Sequence, residues 1–229
     1  MIESLLFATD FSTRSELSLD RALKLTGGQA DRIGVLHVID REVSETLVRG
    51  EQSAAPPIMD ELLDARLASD APRPAMLIRK GDPFEEIVAA ADDRDDDLIV
   101  MGAPRPRRFL ESLRGTTLER VIRASTRPVL TVRCPADGPY RRVLIATDMS
   151  DTSAFAIEAA HRLGLFAEAR VTVVHALWPP TPHMVSHSAM TIDLMQSQIA
   201  ADKAATNEEM ISFLDGLQLG SFKPESREI

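Results

Sequence analysis

Residues 4–38 of the 229-residue chain, SLLFATDFSTRSELSLDRALKLTGGQADRIGVLHV, align without a gap on residues 142–176, RVLIATDMSDTSAFAIEAAHRLGLFAEARVTVVHA, after a shift of 138 positions. Eleven positions are identical, namely Leu6, Ala8, Thr9, Asp10, Ser12, Ser15, Ala22, Leu25, Arg32, Val35 and His37 with their counterparts. A repeat of this kind constrains the fold before any other feature does, because both copies must build the same supersecondary unit. The copies are unequal, with about 135 residues available to the first and about 90 to the second. We therefore expect a complete domain at 1–135, a Pro- and Gly-containing linker at 136–141 within CPADGPYRR, and an incomplete second domain at 142–229.

Within the first copy, short apolar runs alternate with helical patterns. Leu5–Ala8, Ile33–Ile39, Ala75–Arg79, Leu98–Met101 and Val129–Val132 have the length and composition of buried strands. Leu19, Ala22, Leu23 and Thr26 share one helical face, as do Phe84, Ile87, Val88 and Ala91, and Leu118, Val121 and Ile122. Asp82 before Pro83 predicts an N-cap followed by proline at the first helical position. This alternation predicts an α/β fold, an open parallel sheet covered on both faces through right-handed crossovers. The polar stretch 41–57, ending in Pro-Pro, reads as a mobile loop leading to a helix around Ile58–Leu67. In the second copy the counterpart of that stretch starts with WPPTPH and leads to a longer helix through Met210, Phe213, Leu214 and Leu217, with a third strand expected near Gly220–Lys223.

Parallel sheets of this type bind ligands beyond the carboxyl ends of their strands, and three such ends carry unusual chemistry. The first is Ala8-Thr9-Asp10-Phe11-Ser12, where an aspartate either caps the next helix or accepts hydrogen bonds from a ribose or base. Taken alone, the cap is the simpler reading. The second is His37-Val38-Ile39-Asp40, in which the recurrence of His37 as His175 favours a packed, hydrogen-bonded histidine over a ligand. The third is Met101-Gly102-Ala103-Pro104-Arg105, leading through a loop to Gly115-Thr116-Thr117 and a helix. Glycine after a strand admits close approach to the backbone, and Gly-Thr at a helix start offers N–H groups, the positive end of the dipole and a hydroxyl. Arg105, Arg107, Arg108 and Arg114 against Glu111 give the intervening loop a local charge of 4 − 1 = +3 in a chain of net charge -9. That placement suits neutralising a phosphate.

Other signals are weaker. His183 and His187 have a helical metal-ligand spacing, but prolines precede them and no acidic third ligand is near, so a loop is the better reading. The acidic run Asp92, Asp93, Asp95, Asp96 and Asp97 reads as solvated turn charges. A single cysteine, Cys134, excludes an internal disulfide and suits the reducing cytosol. Neither copy is basic enough for a dedicated nucleic-acid binder, and no apolar run approaches the roughly 18 residues of a membrane span. A cytoplasmic location with no nucleic-acid or membrane partner is expected.

Taken together, ATDFS and ATDMS, GVLHVID and TVVHAL, KGDPFEEIV, and DLIVMG…RGTTLERVI…TRPVLTV resemble the universal stress protein family, in a tandem arrangement whose second domain is incomplete. The resemblance implies a five-stranded parallel sheet of order 3-2-1-4-5, similar to the adenine-nucleotide α-hydrolases. In ATP-binding members the phosphates follow the pattern Gly, two residues, Gly, nine residues, Gly and Ser or Thr, and Gly102, Arg105, Gly115 and Thr116 stand at those positions. Arg105 replaces the second glycine, and either obstructs the phosphate path or binds the phosphates itself. The resemblance further implies that Ala8, Asp10, Val38 and Met101 flank ribose and adenine, and that Thr116 or Thr117 serves a phosphate or a Mg²⁺.

The expected function is therefore a stress-response protein that binds ATP or another adenine nucleotide, at most one per chain, and acts as a nucleotide-sensitive switch or scaffold. Anion donors are present but no evident general base or nucleophile is aimed at a phosphate, so at most a slow ATPase is expected. The alternative is a nucleotide-independent dimerisation or interaction module. An adenine-nucleotide hydrolase ranks below both, because ATDFS lacks a Gly-rich turn. The short second copy predicts a sheet edge covered by a partner chain or by the first copy, in a homodimer or larger assembly.

Overall fold

The computed structural model describes residues 2–104, 115–177, 192–220, 222 and 224–228. Arg105, Arg107, Arg108, Glu111, Arg114, His183 and His187 lie outside them. The chain divides into two compact units, Met1–Pro139 and Tyr140–Ile229.

The first unit is built from β1 (Leu5–Thr9), α1 (Thr13–Leu25), β2 (Ile33–Asp40), α2 (Glu45–Asp64), β3 (Ala75–Gly81), α3 (Pro83–Asp93), β4 (Ile99–Gly102), α4 (Thr117–Ala124) and β5 (Val129–Val132). All five strands are parallel in the order β3-β2-β1-β4-β5. The chain moves outward from β1 through β2 to β3, then returns to the other side of β1 for β4 and β5. The β1–β4 boundary is therefore the topological switch point, where strand ends diverge and leave a crevice.

Apolar strands with side chains on both faces require cover on both sides. On one face Leu6, Ala8, Leu36, Ile99 and Met101 pack against Ile87, Ala90 and Ala91 of α3 and Leu118 and Val121 of α4. Leu19, Ala22 and Leu23 of α1 are buried as expected, with Thr26 just beyond the helix. Ile122 departs from its predicted face and is 53% exposed. In a helix of two turns the stripe that reaches the sheet passes through Leu118 and Val121, leaving Ile122 on the solvent side. Asp82 caps α3, accepting from Phe84 N, with Pro83 at the first helical position.

Larger departures from expectation also occur in this unit. Most of segment 41–57 is not a loop, because α2 runs unbroken from Glu45 to Asp64 with Pro56 and Pro57 inside it. The prolines withdraw the donors that would reach the carbonyls of Gln52 and Ser53. The helix persists because Val48, Ala55, Met59 and Leu63, spaced by seven and four residues, form one buried stripe that crosses the prolines. The acidic run is also not simply solvated. Asp92 and Asp95 pair with Arg127, Asp93 with Arg79, and Asp97 accepts from Glu3 N and Ser4 N. Asp96 is fully buried against Arg94. Burial pushes its carboxyl above the usual range, opposed by the Arg94 guanidinium.

The second unit contains β6 (Arg142–Ala146), α5 (Asp151–Arg162), β7 (Arg170–Val174), α6 (Ile192–Gly216) and β8 (Ser226–Glu228). Its strands are parallel in the order β6-β7-β8, which repeats β1-β2-β3. Met210 and Leu214 of α6 bury against Val173, with Phe213 and Leu217 beside them, as the pattern predicts. The third strand lies later than Gly220–Lys223. Gly220 has φ +58°, Phe222 packs its ring 4.9 Å from that of Phe166, and Pro224 has no N–H for a ladder, so pairing starts once Glu225 N reaches Val171 O at 2.9 Å.

Candidate functional site

The turn after β1 is held by its own side chains. Thr9 Oγ1 accepts from Phe11 N at 2.9 Å and donates to Ser15 Oγ at 3.0 Å. Asp10 Oδ1 accepts from Ser12 N at 3.0 Å and Ser12 Oγ at 2.6 Å. These bonds hold Phe11 at φ 55°, a left-handed conformation that an aromatic residue adopts only under such constraint. Asp10 thus braces Ser12, the N-cap of α1, without bonding the first-turn N–H groups itself. Burial alone would raise its carboxyl, but the Ser12 hydroxyl and N–H bonds bring it below the usual range.

His37 is packed and hydrogen-bonded. A carbonyl can only accept, so the 3.0 Å contact to Thr9 O places a proton on Nδ1. The ring lies 4.8 Å from that of Phe11, and Nε2 is 3.5 Å from the Glu51 carboxylate. The histidine locks β2 to the β1 turn.

At the switch point opens a cavity of about 680 Å³, bounded by the ends of β1, β2 and β4 and the starts of α1, α3 and α4. Its size falls in the range of about 300–1,000 Å³ typical of small-molecule sites. Of the residues singled out from the sequence, Ala8, Asp10, Val38, Met101, Gly102, Thr116 and Thr117 line it together. Leu36, Ile87 and Leu118 add apolar surface, while Thr9, Ser12 and Ser15 add hydroxyls. Gly115 is not part of the lining, and Arg105 lies outside the described residues.

Gly102 has a packing role that the sequence reading missed. A Cβ there would meet Arg14 O at 3.0 Å and Ser15 N at 3.1 Å, so the missing side chain lets the first turn of α1 close onto β4. Arg14 itself lines the cavity, together with Pro83, Ala103 and Pro104. Arg14 and Pro83 were not legible as site residues, while Ala103 and Pro104 belong to the Met101–Arg105 stretch that the sequence marks at the end of its strand.

The start of α4 corrects a further expectation. Gly115 takes φ +72°, a conformation that suits glycine, and leads into Thr116. The Thr116 N–H is not free, because it donates to Glu119 Oε2 at 2.7 Å while Thr116 Oγ1 accepts from Glu119 N at 3.1 Å. This capping box puts a carboxylate at the positive end of α4. Arg120 then fixes α4 to α3, with its two terminal nitrogens donating to the two Asp82 oxygens at 3.1 and 3.0 Å and its guanidinium 3.7 Å above the Phe84 ring. Asp82 therefore links the cap of α3 to the wall of the cavity.

Residues 1–133 match the universal stress protein family, and the sheet order β3-β2-β1-β4-β5 is the one that this family implied. The chain belongs to the universal stress protein family. It is 30% identical to universal stress protein MJ0577 of Methanocaldococcus jannaschii, over 58% of this chain and 96% of that protein. A universal stress protein from Archaeoglobus fulgidus aligns over 99% of this chain and 77% of its own, with a TM-score of 0.59 at 20% identity, a likeness of fold. A further universal stress protein, solved in complex with cAMP, aligns over 57% of this chain and 97% of its own at 21% identity and a TM-score of 0.47. Among the described residues of this member, no helix is long and apolar enough to cross a membrane, and no cluster of His, Cys, Asp and Glu could by itself hold a metal.

Proposed function

We propose that this universal stress protein binds ATP or another adenine nucleotide in its first unit and acts as a nucleotide-sensitive switch or scaffold. The observation that carries the reading is the switch-point cavity, apolar along Val38, Ile87, Met101 and Leu118 and polar at Asp10, Thr116 and Thr117. A flat base buries its faces against the apolar side, and Asp10 accepts from the ribose hydroxyls while keeping its Ser12 bonds. Thr116 Oγ1 keeps its proton for a phosphate oxygen, because its contact with Glu119 N uses only a lone pair. Gly115 shapes the turn that presents Thr116, and Arg105 adds charge or blocks the path. Magnesium would arrive with the phosphates, held by them and by a threonine hydroxyl, and would supply neutralisation of their charge.

Asp10, the carboxylate of the described lining, is engaged by Ser12 and assigned to the ribose, so the reading is of binding rather than turnover. In this reading the two units define the domains, the second of them incomplete. The protein works in the cytoplasm as a homodimer or larger homo-oligomer. The nucleotide-independent alternative draws on one specific observation, that Glu119 already occupies the Thr116 N–H.

Calorimetry with ATP, with and without Mg²⁺, separates the two. The nucleotide reading expects one site per chain, and wild-type protein giving no heat and no thermal shift at millimolar ATP would sink it. In the binding case, Arg105→Gly then reports the side chain's role: tighter binding means obstruction, and weaker binding means a phosphate ligand.

A further inference from the structure

Arg14 is the second residue of α1, half-buried, and lines the cavity beside Gly102. Several guanidinium groups of the first unit pair with carboxylates, as in Arg120 with Asp82, Arg94 with Asp96 and Arg66 with Asp20, while Arg21 and Arg32 donate to the carbonyls of Gly138 and Ile2. Among the described residues the Arg14 guanidinium makes no such pair, and the other charged member of the lining, Asp10, is occupied by Ser12 instead. A cation in the first turn also opposes the helix dipole, so its position weakens α1 unless something else makes use of the charge. In the second unit, where among the described residues β6 pairs with β7 alone, the aligned position is Thr152.

A guanidinium with no carboxylate partner among the described residues, on a residue that lines a cavity, suits an anion, and its planar fork of donors matches phosphate oxygens. The Arg14 backbone lies against Gly102 at the end of β4, the first position of the glycine pattern, which puts the residue on the phosphate side of the cavity in the nucleotide reading. Resting on the nucleotide reading above, we infer that Arg14 is a phosphate ligand of this site and sets its preference for nucleoside di- and triphosphates over the bare nucleoside. The family's glycine pattern does not include this position, so the selectivity belongs to this chain's own sequence.

The test is calorimetry with ATP, ADP and adenosine on wild type, Arg14→Ala and Arg14→Lys at fixed salt. Loss of charged hydrogen bonds predicts that Arg14→Ala weakens ATP about 10- to 100-fold and leaves adenosine unchanged, while Arg14→Lys recovers part of the loss. Adenosine binding doubles as the check that the variant is folded, and Arg14→Gln substitutes for alanine if it is not. Equal ATP affinity in wild type and Arg14→Ala overturns the inference and leaves the nucleotide reading standing, as does an equal loss for ATP and adenosine. Absence of ATP binding to wild type overturns both.

Discussion

The two copies of the turn after the first strand make nearly the same hydrogen bonds in different surroundings. Met149 N donates to Thr147 Oγ1 at 2.9 Å, Ser150 N and Oγ reach Asp148 Oδ1 at 3.0 and 2.6 Å, and His175 Nδ1 meets Thr147 O at 2.9 Å. Met149 even shares the left-handed conformation of Phe11, at φ 61°. Yet Leu6 is fully buried between β2 and β4, whereas its counterpart Leu144 is 67% exposed on a strand that, among the described residues, pairs with β7 alone. The turn is a local device written in a few residues. The cavity is a tertiary one, because it requires β4, α3 and α4 to be placed across the switch point.

The sharpest way to break this comparison is to charge both leucines. Leu6→Asp buries a carboxylate without a partner and is expected to cost more than about 4 kcal/mol, unfolding the first unit in urea. Leu144→Asp is expected to stay within about 0.5 kcal/mol, as exposed positions do. A large loss at Leu144 that depends on protein concentration would instead reveal that a partner copy covers this side chain.

A smaller effect separates the two aspartates. Asp10→Ala removes a ribose acceptor beside the cavity and is expected to weaken ATP about 10-fold, whereas Asp148→Ala should leave ATP affinity unchanged. Equal losses from both variants would mean that the turn acts through folding rather than through contact. Glu119→Gln tests the cap of α4. Withdrawing its charge leaves the positive end of the helix to an incoming phosphate, so ATP affinity should rise by a few-fold while the melting temperature falls slightly. An unchanged affinity would show that the phosphates do not reach Thr116.

The sheet and most of the lining were legible because apolar runs, helical stripes and the Asp82-Pro83 start are all written locally. Ala8, Asp10, Val38, Met101, Gly102, Thr116 and Thr117 could be named because each lies at a strand end or helix start that the alternation locates. Helix α2 was misread because Pro56-Pro57 is a strong breaker over a short window, and the stripe from Val48 to Leu63 that overrides it shows only over a longer one. Arg14 escaped notice because its significance rests on the missing side chain of Gly102, 88 positions away (102 − 14). The capping box at Thr116 and Glu119 was readable in Thr-x-x-Glu, but it was passed over in favour of a free anion site.

The smallest expected difference between the copies lies in acid titration. Asp148 is held well below the usual carboxylate range by the Ser150 hydroxyl, the Ser153 hydroxyl and the Ser150 N–H. At Asp10 burial works against the Ser12 bonds, and the net lowering is weaker. Ser153 Oγ donates to Asp148, whereas Ser15 Oγ donates to the Ser12 carbonyl at 2.8 Å and only helps the Ser12 bonds to lower Asp10. Both carboxyls are lowered by folding from the same ordinary value of 3.8, so each contributes stability above that value. The contribution is lost as pH falls through the folded-state value. Carboxyl-carbon NMR should therefore find Asp10 protonating first on acidification and Asp148 later. Binding of a nucleotide whose ribose hydroxyls donate to Asp10 should lower the Asp10 midpoint further and leave that of Asp148 fixed. If saturating ATP moved both midpoints equally, or neither, Asp10 would lose its assigned place beside the ribose.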